Sequence, residues 1–183
     1  MALVTLEQFA AWRQMDLSAA DAATAEMLIE MVSDEVRGFC GWHITPVATD
    51  TLTVDGSGGN VLTLPTLRLI EVVSVTENGT EVDVDTVQWS ANGYLWRDTP
   101  WTRALRGVEV EIRHGYADTR PELAAIVCAA VARGMANPSG VARETSGGES
   151  VTYATQDGGP LSAGLTELEQ RLLSRRYRIA NLA

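Results

Sequence analysis

Apolar residues recur every third and fourth position up to Phe39, alternate with polar ones from Thr49 to Tyr116, and return to the longer period from Pro121. A helix lays residues three and four apart on one face and a strand every second one, so this double switch fixes the class of fold more tightly than any other feature. The chain should be α+β, a helical part interrupted by an antiparallel β-rich insertion.

The helical stretches carry their own start signals. In "TLEQFAAWRQMD", Thr5 stands three residues before Gln8, a capping-box spacing, and Leu6, Phe9 and Arg13 fall along one side. Ser18 and Asp21 repeat the spacing. Ala25, Leu28, Ile29, Val32, Val36 and Phe39 then predict a long amphipathic helix over 19 to about 39, whose outer face is Glu26, Glu30, Asp34 and Glu35. "PELAAIVCAAVARGMANP" places Pro121 in a first turn, Leu123, Ile126, Val127, Ala130 and Val131 on a buried side, and Asn137-Pro138 as a stop. Thr166 and Glu169 cap a closing helix with Leu165, Leu168, Leu172 and Ile179 on one side and Arg171, Arg175 and Arg178 on another.

Between residues 49 and 116 six or seven short strands are expected. "DGSGGN", Asp55 to Asn60, reads as a hairpin turn, and Asn-Gly pairs at 78–79 and 92–93 separate further alternations. Each helical part is too short to bury its apolar face alone, so the two should pack together. The expected division is a helical bundle core of 1–46 with 118–137, a β-rich insertion at 47–117, and a C-terminal arm and helix at 138–183. Gly and Pro break residues 138 to 164 repeatedly, and only "ESVTYAT" alternates there, which reads as an arm with one strand.

Catalytic and metal chemistry find little support. "FCGWHITP" sets Cys40 three residues before His43, but zinc needs about four ligands, and Cys128 and His114 belong to other elements. The preceding helix is acidic, the wrong setting for a thiolate. Gly38 and Gly41 instead supply a helix end, with Phe39 and Trp42 packing down and Pro46 barring continuation. Cys40 and Cys128 read as buried free thiols. "DGSGGN" lacks the Lys and Ser/Thr of a phosphate loop and the several carboxylates of a calcium loop, and "ETSGGES" has no nucleophile-elbow pattern. No enzyme and no cofactor are expected. Trp89, Tyr94, Trp96 and Trp101 leave open a second reading, a β-module that binds carbohydrate or another surface ligand, although such spacing around a hairpin also suits sheet packing.

Charge is distributed unevenly. The 183 residues contain no Lys and carry a net charge of −10. Residues 1 to 96 hold 14 acids against 3 Arg, residues 97 to 183 hold 10 acids against 11 Arg, and the stretch from Arg171 to the end has four Arg and no acid. An anionic body opposes a grip on nucleic acid, which proteins hold by neutralising phosphates. No apolar run approaches the roughly 18 residues of a membrane span, and the N-terminus lacks a signal-peptide pattern, so the chain reads as soluble and not secreted.

The order of these features resembles the head-to-tail connector, or adaptor, proteins of long-tailed double-stranded DNA phages. The likeness runs from the capped helices ending in "FCGWHITP" through "VDGSGGNVLTLPTLRLIEVVSVTENG" and "NGYLWR" to "VEVEIRHGYADTRPELAAIVCAAVARGM" and "GESVTYAT…LTELEQRLLSRRYR". Its most specific mark is a strand ending in "HGY" that leads at once into a Pro-initiated helix. The resemblance implies a virion protein at the head-tail interface, assembled in the host cytoplasm, whose copies form a dodecameric ring beneath the portal protein. Such a ring extends the DNA channel, lets DNA pass without specific binding, and receives stopper or tail-completion proteins, with no role for a membrane. It implies portal docking by the C-terminal segment, here Leu165, Leu168, Arg171, Leu172, Arg175, Arg176 and Arg178. Glu26, Glu30, Asp34 and Glu35 are the expected channel-facing acids.

Overall fold

A computed structural model describes residues 2–136, 143–146, 149–152, 155–156, 159–160 and 163–179. They form two compact units, one of residues 2–40 with the described part of 119–176, the other of 41–118 with 177–179.

The first unit is helical: α1 (Leu6–Arg13), α2 (Ala19–Cys40), α3 (Pro121–Ala136) and α4 (Glu167–Arg176). Thr5 and Gln8 form the full capping box, each side chain taking the other's backbone N–H. Ser18 Oγ accepts from the Asp21 amide at 3.2 Å at the head of α2. The periodic residues are the buried ones, Phe9 on α1, Ala25, Leu28, Ile29, Val32 and Val36 on α2, and Leu123, Ile126, Val127, Ala130 and Val131 on α3. Helices α2 and α3 pack together. A Cβ at Gly134 would lie 2.7 Å from the Ala163 Cβ and 3.2 Å from a Leu28 methyl, so the absent side chain is what permits this approach. Asn137-Pro138, the expected stop, lies outside the described residues; α3 ends at Ala136.

The second unit holds seven strands in two antiparallel sheets. Strands β1 (Ala48–Val54), β7 (Val108–His114), β3 (Leu69–Glu77) and β4 (Thr80–Val82) form one, in the order β1-β7-β3-β4. Strands β2 (Val61–Thr63), β6 (Tyr94–Trp96) and β5 (Gln88–Trp89) form the other, in the order β2-β6-β5. Leu62, Leu64 and Leu95 join Val72, Val75, Val108, Val110 and Ile112 in one core to which both sheets contribute. Asn78 and Gly79 both take left-handed φ, 51° and 79°, as the tight turn between β3 and β4 requires.

Three expectations need correction. The segment 55–60 is not a hairpin turn, because β1 pairs with β7 and β2 with β6, so it carries the chain from one sheet to the other. Its glycines serve close approach. The Gly56 and Gly58 amides donate to the Ala104 and Thr102 carbonyls, each at 2.9 Å, and a Cβ on Gly56 would collide with the Thr102 carbonyl oxygen at 2.1 Å. The "ESVTYAT" stretch is not a lone strand either. β9 (Glu149–Thr152) pairs with β8 (Arg143–Ser146), and β10 (Thr155–Gln156) pairs with β11 (Gly159–Pro160), since a single strand leaves its backbone groups unpaired. Gly38 lies inside α2, and only Gly41, at φ 79°, adopts the left-handed geometry that ends the helix.

Candidate functional site

The Cys40–His43 pair proves to be a helix end. Cys40 is fully buried and makes no disulfide, and His43 donates through Nε2 to the Pro46 carbonyl. His114 is buried beside His43, their rings 5.7 Å apart, and bridges Asp50 and Thr66 at 2.9 and 3.1 Å. Cys128 is also buried, and desolvation pushes its thiol pKa up, away from nucleophilic use.

The aromatic group divides. Trp101 is 2% exposed, stacked under the Arg97 guanidinium at 3.9 Å, whereas Trp89, Tyr94 and Trp96 remain exposed. Arg97 reaches Glu77 with hydrogen bonds of 2.8 and 2.7 Å and also donates to the Thr99 and Pro100 carbonyls. Burial disfavours the Glu77 charge, but hydrogen bonds from Arg97 and the Thr102 amide, with the charge of Arg97, hold its pKa below the ordinary carboxylate value. Trp101 and Arg97 thus fasten a loop to the β-unit. Trp101 is thereby withdrawn from the exposed aromatics.

Helix α4 divides the apolar side that spacing predicts. Leu165, Glu169 and Leu173 are buried, while Leu168 and Leu172 are 65% and 47% exposed. The inner stripe therefore runs at four-residue spacing through a glutamate. Glu169 takes a two-pronged contact from Arg133 of α3 at 2.9 and 2.8 Å and accepts from the Thr166 amide and hydroxyl. Burial opposes its charge, yet Arg133, through hydrogen bonds and charge, and Thr166 outweigh it, and the pKa lies below the usual carboxylate range. The Glu169–Arg133 clasp went unread in the sequence because a charged residue reads as an outer position; Leu173, four residues on, was the available signal.

The outward strip of α4 holds Leu168, Leu172, Arg171, Arg175 and Arg176. Arg171 pairs with Glu167 at 2.9 Å and Arg176 with Glu122 at 3.4 Å. Leu165 belongs to the interior of its own unit, and its amide donates to Glu35 at 3.1 Å. Arg178 is exposed in the second unit, after Tyr177, whose carbonyl accepts from Trp42 Nε1 at 2.6 Å. On α2, Glu26, Glu30, Asp34 and Glu35 are all exposed, Asp34 lying 3.7 Å from Arg37. Met27 and Met31 are exposed between them.

The exposed helix faces of the first unit combine charged and apolar side chains. The head completion protein family model matches residues 2–163, and the chain belongs to that family. Among solved structures, it is similar to a chain of the neck of a native gene transfer agent (GTA) particle computed with C12 symmetry, at 14% identity and TM-score 0.50, covering 100% of this chain and 97% of that one. The neck of an empty particle computed with C6 symmetry gives 14% identity and TM-score 0.53 over 99% and 92%. The virion of the native particle gives 14% and 0.51 over the same shares. No curated protein matches significantly.

Proposed function

We propose that this protein is a structural head-to-tail adaptor of a phage-type virion, residing at the head-tail interface. Its copies form a ring, dodecameric in the particle, that sits beneath the portal protein, extends the DNA channel and receives stopper or tail-completion proteins. The observation that carries this reading is membership of the head completion family over residues 2–163. The fold likeness to neck chains across nearly the whole length agrees with it.

In this reading residues 1–46 with 118–137 are the core, 47–117 the insertion and 138–183 the arm. The portal-docking surface is the outward strip of α4, Leu168, Arg171, Leu172, Arg175 and Arg176; Arg178, the further docking residue, belongs to the second unit. Two leucines exposed on one helix strip with Arg171, Arg175 and Arg176 suit an apolar crevice with acidic or carbonyl groups, which another protein can supply together. The acidic face of α2 turns toward the DNA path, where phosphates find no cation to displace their counterions. No helix among the described residues is long and apolar enough to cross a membrane.

Incubation with isolated portal rings tests this reading. Wild-type protein should bind them, and Leu168→Asp with Leu172→Asp should not, while keeping the wild-type circular dichroism spectrum. Undiminished binding by the variant removes α4 from the docking surface.

A further inference from the structure

The loop from Thr102 to Gly107 is exposed and braced by hydrogen bonds at several points. Its Arg106 amide donates to Asp55 at 2.6 Å, its Ala104 amide to Thr102 Oγ1 at 3.1 Å, and its Ala104 and Thr102 carbonyls accept from Gly56 and Gly58 at 2.9 Å each. Asn78 donates to the Gly107 carbonyl at 2.8 Å. Arg106 is held at a φ of 52°, unusual for a residue with a side chain. On this frame stands Leu105, 82% exposed, with exposed Arg103 and Arg106 on either side. Neither arginine has an ion pair among the described residues.

The helical unit carries the complementary shape. An open groove of about 480 Å³ lies between the start of α1 and the first half of α2, with Val4, Leu6, Ile29 and Met27 among its walls and Glu26 and Glu30 on its rim. Met27 is 66% exposed. The two glutamates, like the two arginines, have no ion pair among the described residues.

We infer that the Leu105 loop of one copy seats in the α1–α2 groove of a second copy of this chain. Leu105 enters the apolar floor beside Met27, and Arg103 and Arg106 meet Glu26 and Glu30 at the rim. The two patches match in polarity, in opposite charge and in having two unpaired charges each, and both belong to every copy. A contact between unlike patches on identical chains is heterologous, so it repeats from copy to copy and forms a ring where the rotation between copies closes. A braced loop loses little freedom on docking, which favours it as an anchor. The inference rests on the ring-forming reading above, and it narrows the channel-facing acids of α2 to Asp34 and Glu35.

Reciprocal charge exchange tests it. Sedimentation velocity over rising protein concentration would compare wild type with a loop variant, Arg103→Glu with Arg106→Glu, and a groove variant, Glu26→Arg with Glu30→Arg. All six side-chain sites, counting Leu105 and Met27, are exposed, so the variants should fold, as circular dichroism would check. Wild type should self-associate, more weakly at high salt; each variant alone should associate roughly tenfold or more weakly. An equimolar mixture of the two should recover association, because each acidic loop then finds a basic groove and each basic loop an acidic one. Leu105→Asp should fail both alone and mixed. A wild type that stays monomeric at every concentration, a mixture that does not recover, or an unaffected Leu105→Asp protein would overturn the inference. Binding of the same variants to portal rings separates this outcome from the adaptor reading: loss of portal binding with self-association intact would assign the loop to the portal and overturn the contact between copies, while portal binding without self-association would leave the adaptor reading standing.

Discussion

Each unit holds a largely buried Arg–Glu clasp, and the two clasps hold different kinds of structure. In the β-unit Arg97 ties the loop after β6 to Glu77 of β3, with Trp101 beneath the guanidinium; in the helical unit Arg133 of α3 ties down Glu169 of α4. The first pair is the more enclosed on the arginine side, its guanidinium side chain 8% exposed against 22% for Arg133. Arg97 therefore braces a core residue and a loop at once, whereas Arg133 fixes the attachment of one helix. A buried charge pair costs most when one partner is removed and the other is left without compensation.

The largest effect should follow from Arg97→Ala. It strands Glu77 and uncovers Trp101, and a loss of about 3 kcal/mol is expected, read from denaturant unfolding followed by tryptophan fluorescence. A loss below about 1 kcal/mol would show that the loop is held by its backbone contacts alone. Glu169→Ala should cost somewhat less, about 2 kcal/mol, because Arg133 keeps some access to water. Its signature is local: limited proteolysis should cut within α4 while the β-unit stays resistant. Equal resistance in both proteins would mean that Leu173 and Leu165 hold the helix without the clasp.

Acid should act on both clasps in the same direction. Each glutamate has a folded pKa below its unfolded value, so its contribution is present above the unfolded value near 4.3 and is lost as pH falls through the folded pKa. Stability should fall as pH drops below about 5, and Glu169→Gln should flatten part of that fall. The smallest effect belongs to the exposed Arg171–Glu167 pair. Arg171→Ala should change stability by less than about 0.5 kcal/mol, yet weaken portal binding if the strip docks as proposed.

The two units also differ in how much of them the sequence discloses. Caps and periodicity are local, and Thr5–Gln8, Thr166–Glu169 and the buried stripes of α2 and α3 stand where the pattern puts them. Pairing between strands is not local. The residues 55–60 look like a hairpin turn because alternation flanks them, and only the distant partners β7 and β6 reveal a crossing between sheets. For α4, spacing sets Leu165, Leu168 and Leu172 on one side, but a buried Glu169 with a partner on another helix accompanies Leu165 and Leu173 inward and leaves Leu168 and Leu172 exposed. Spacing alone groups Trp101 with Trp89, Tyr94 and Trp96, and Arg97, which covers it, gives no signal of its own in the sequence. Leu105 between two arginines passed as ordinary loop sequence; its exposure depends on a brace assembled from Asp55, Gly56 and Gly58.

The adaptor reading is tested most directly by imaging portal rings alone and after incubation with the wild-type protein. The account predicts an added ring of density on one face of the portal, coaxial with its channel and dodecameric in register. Portal rings that remain unchanged at saturating protein would contradict it.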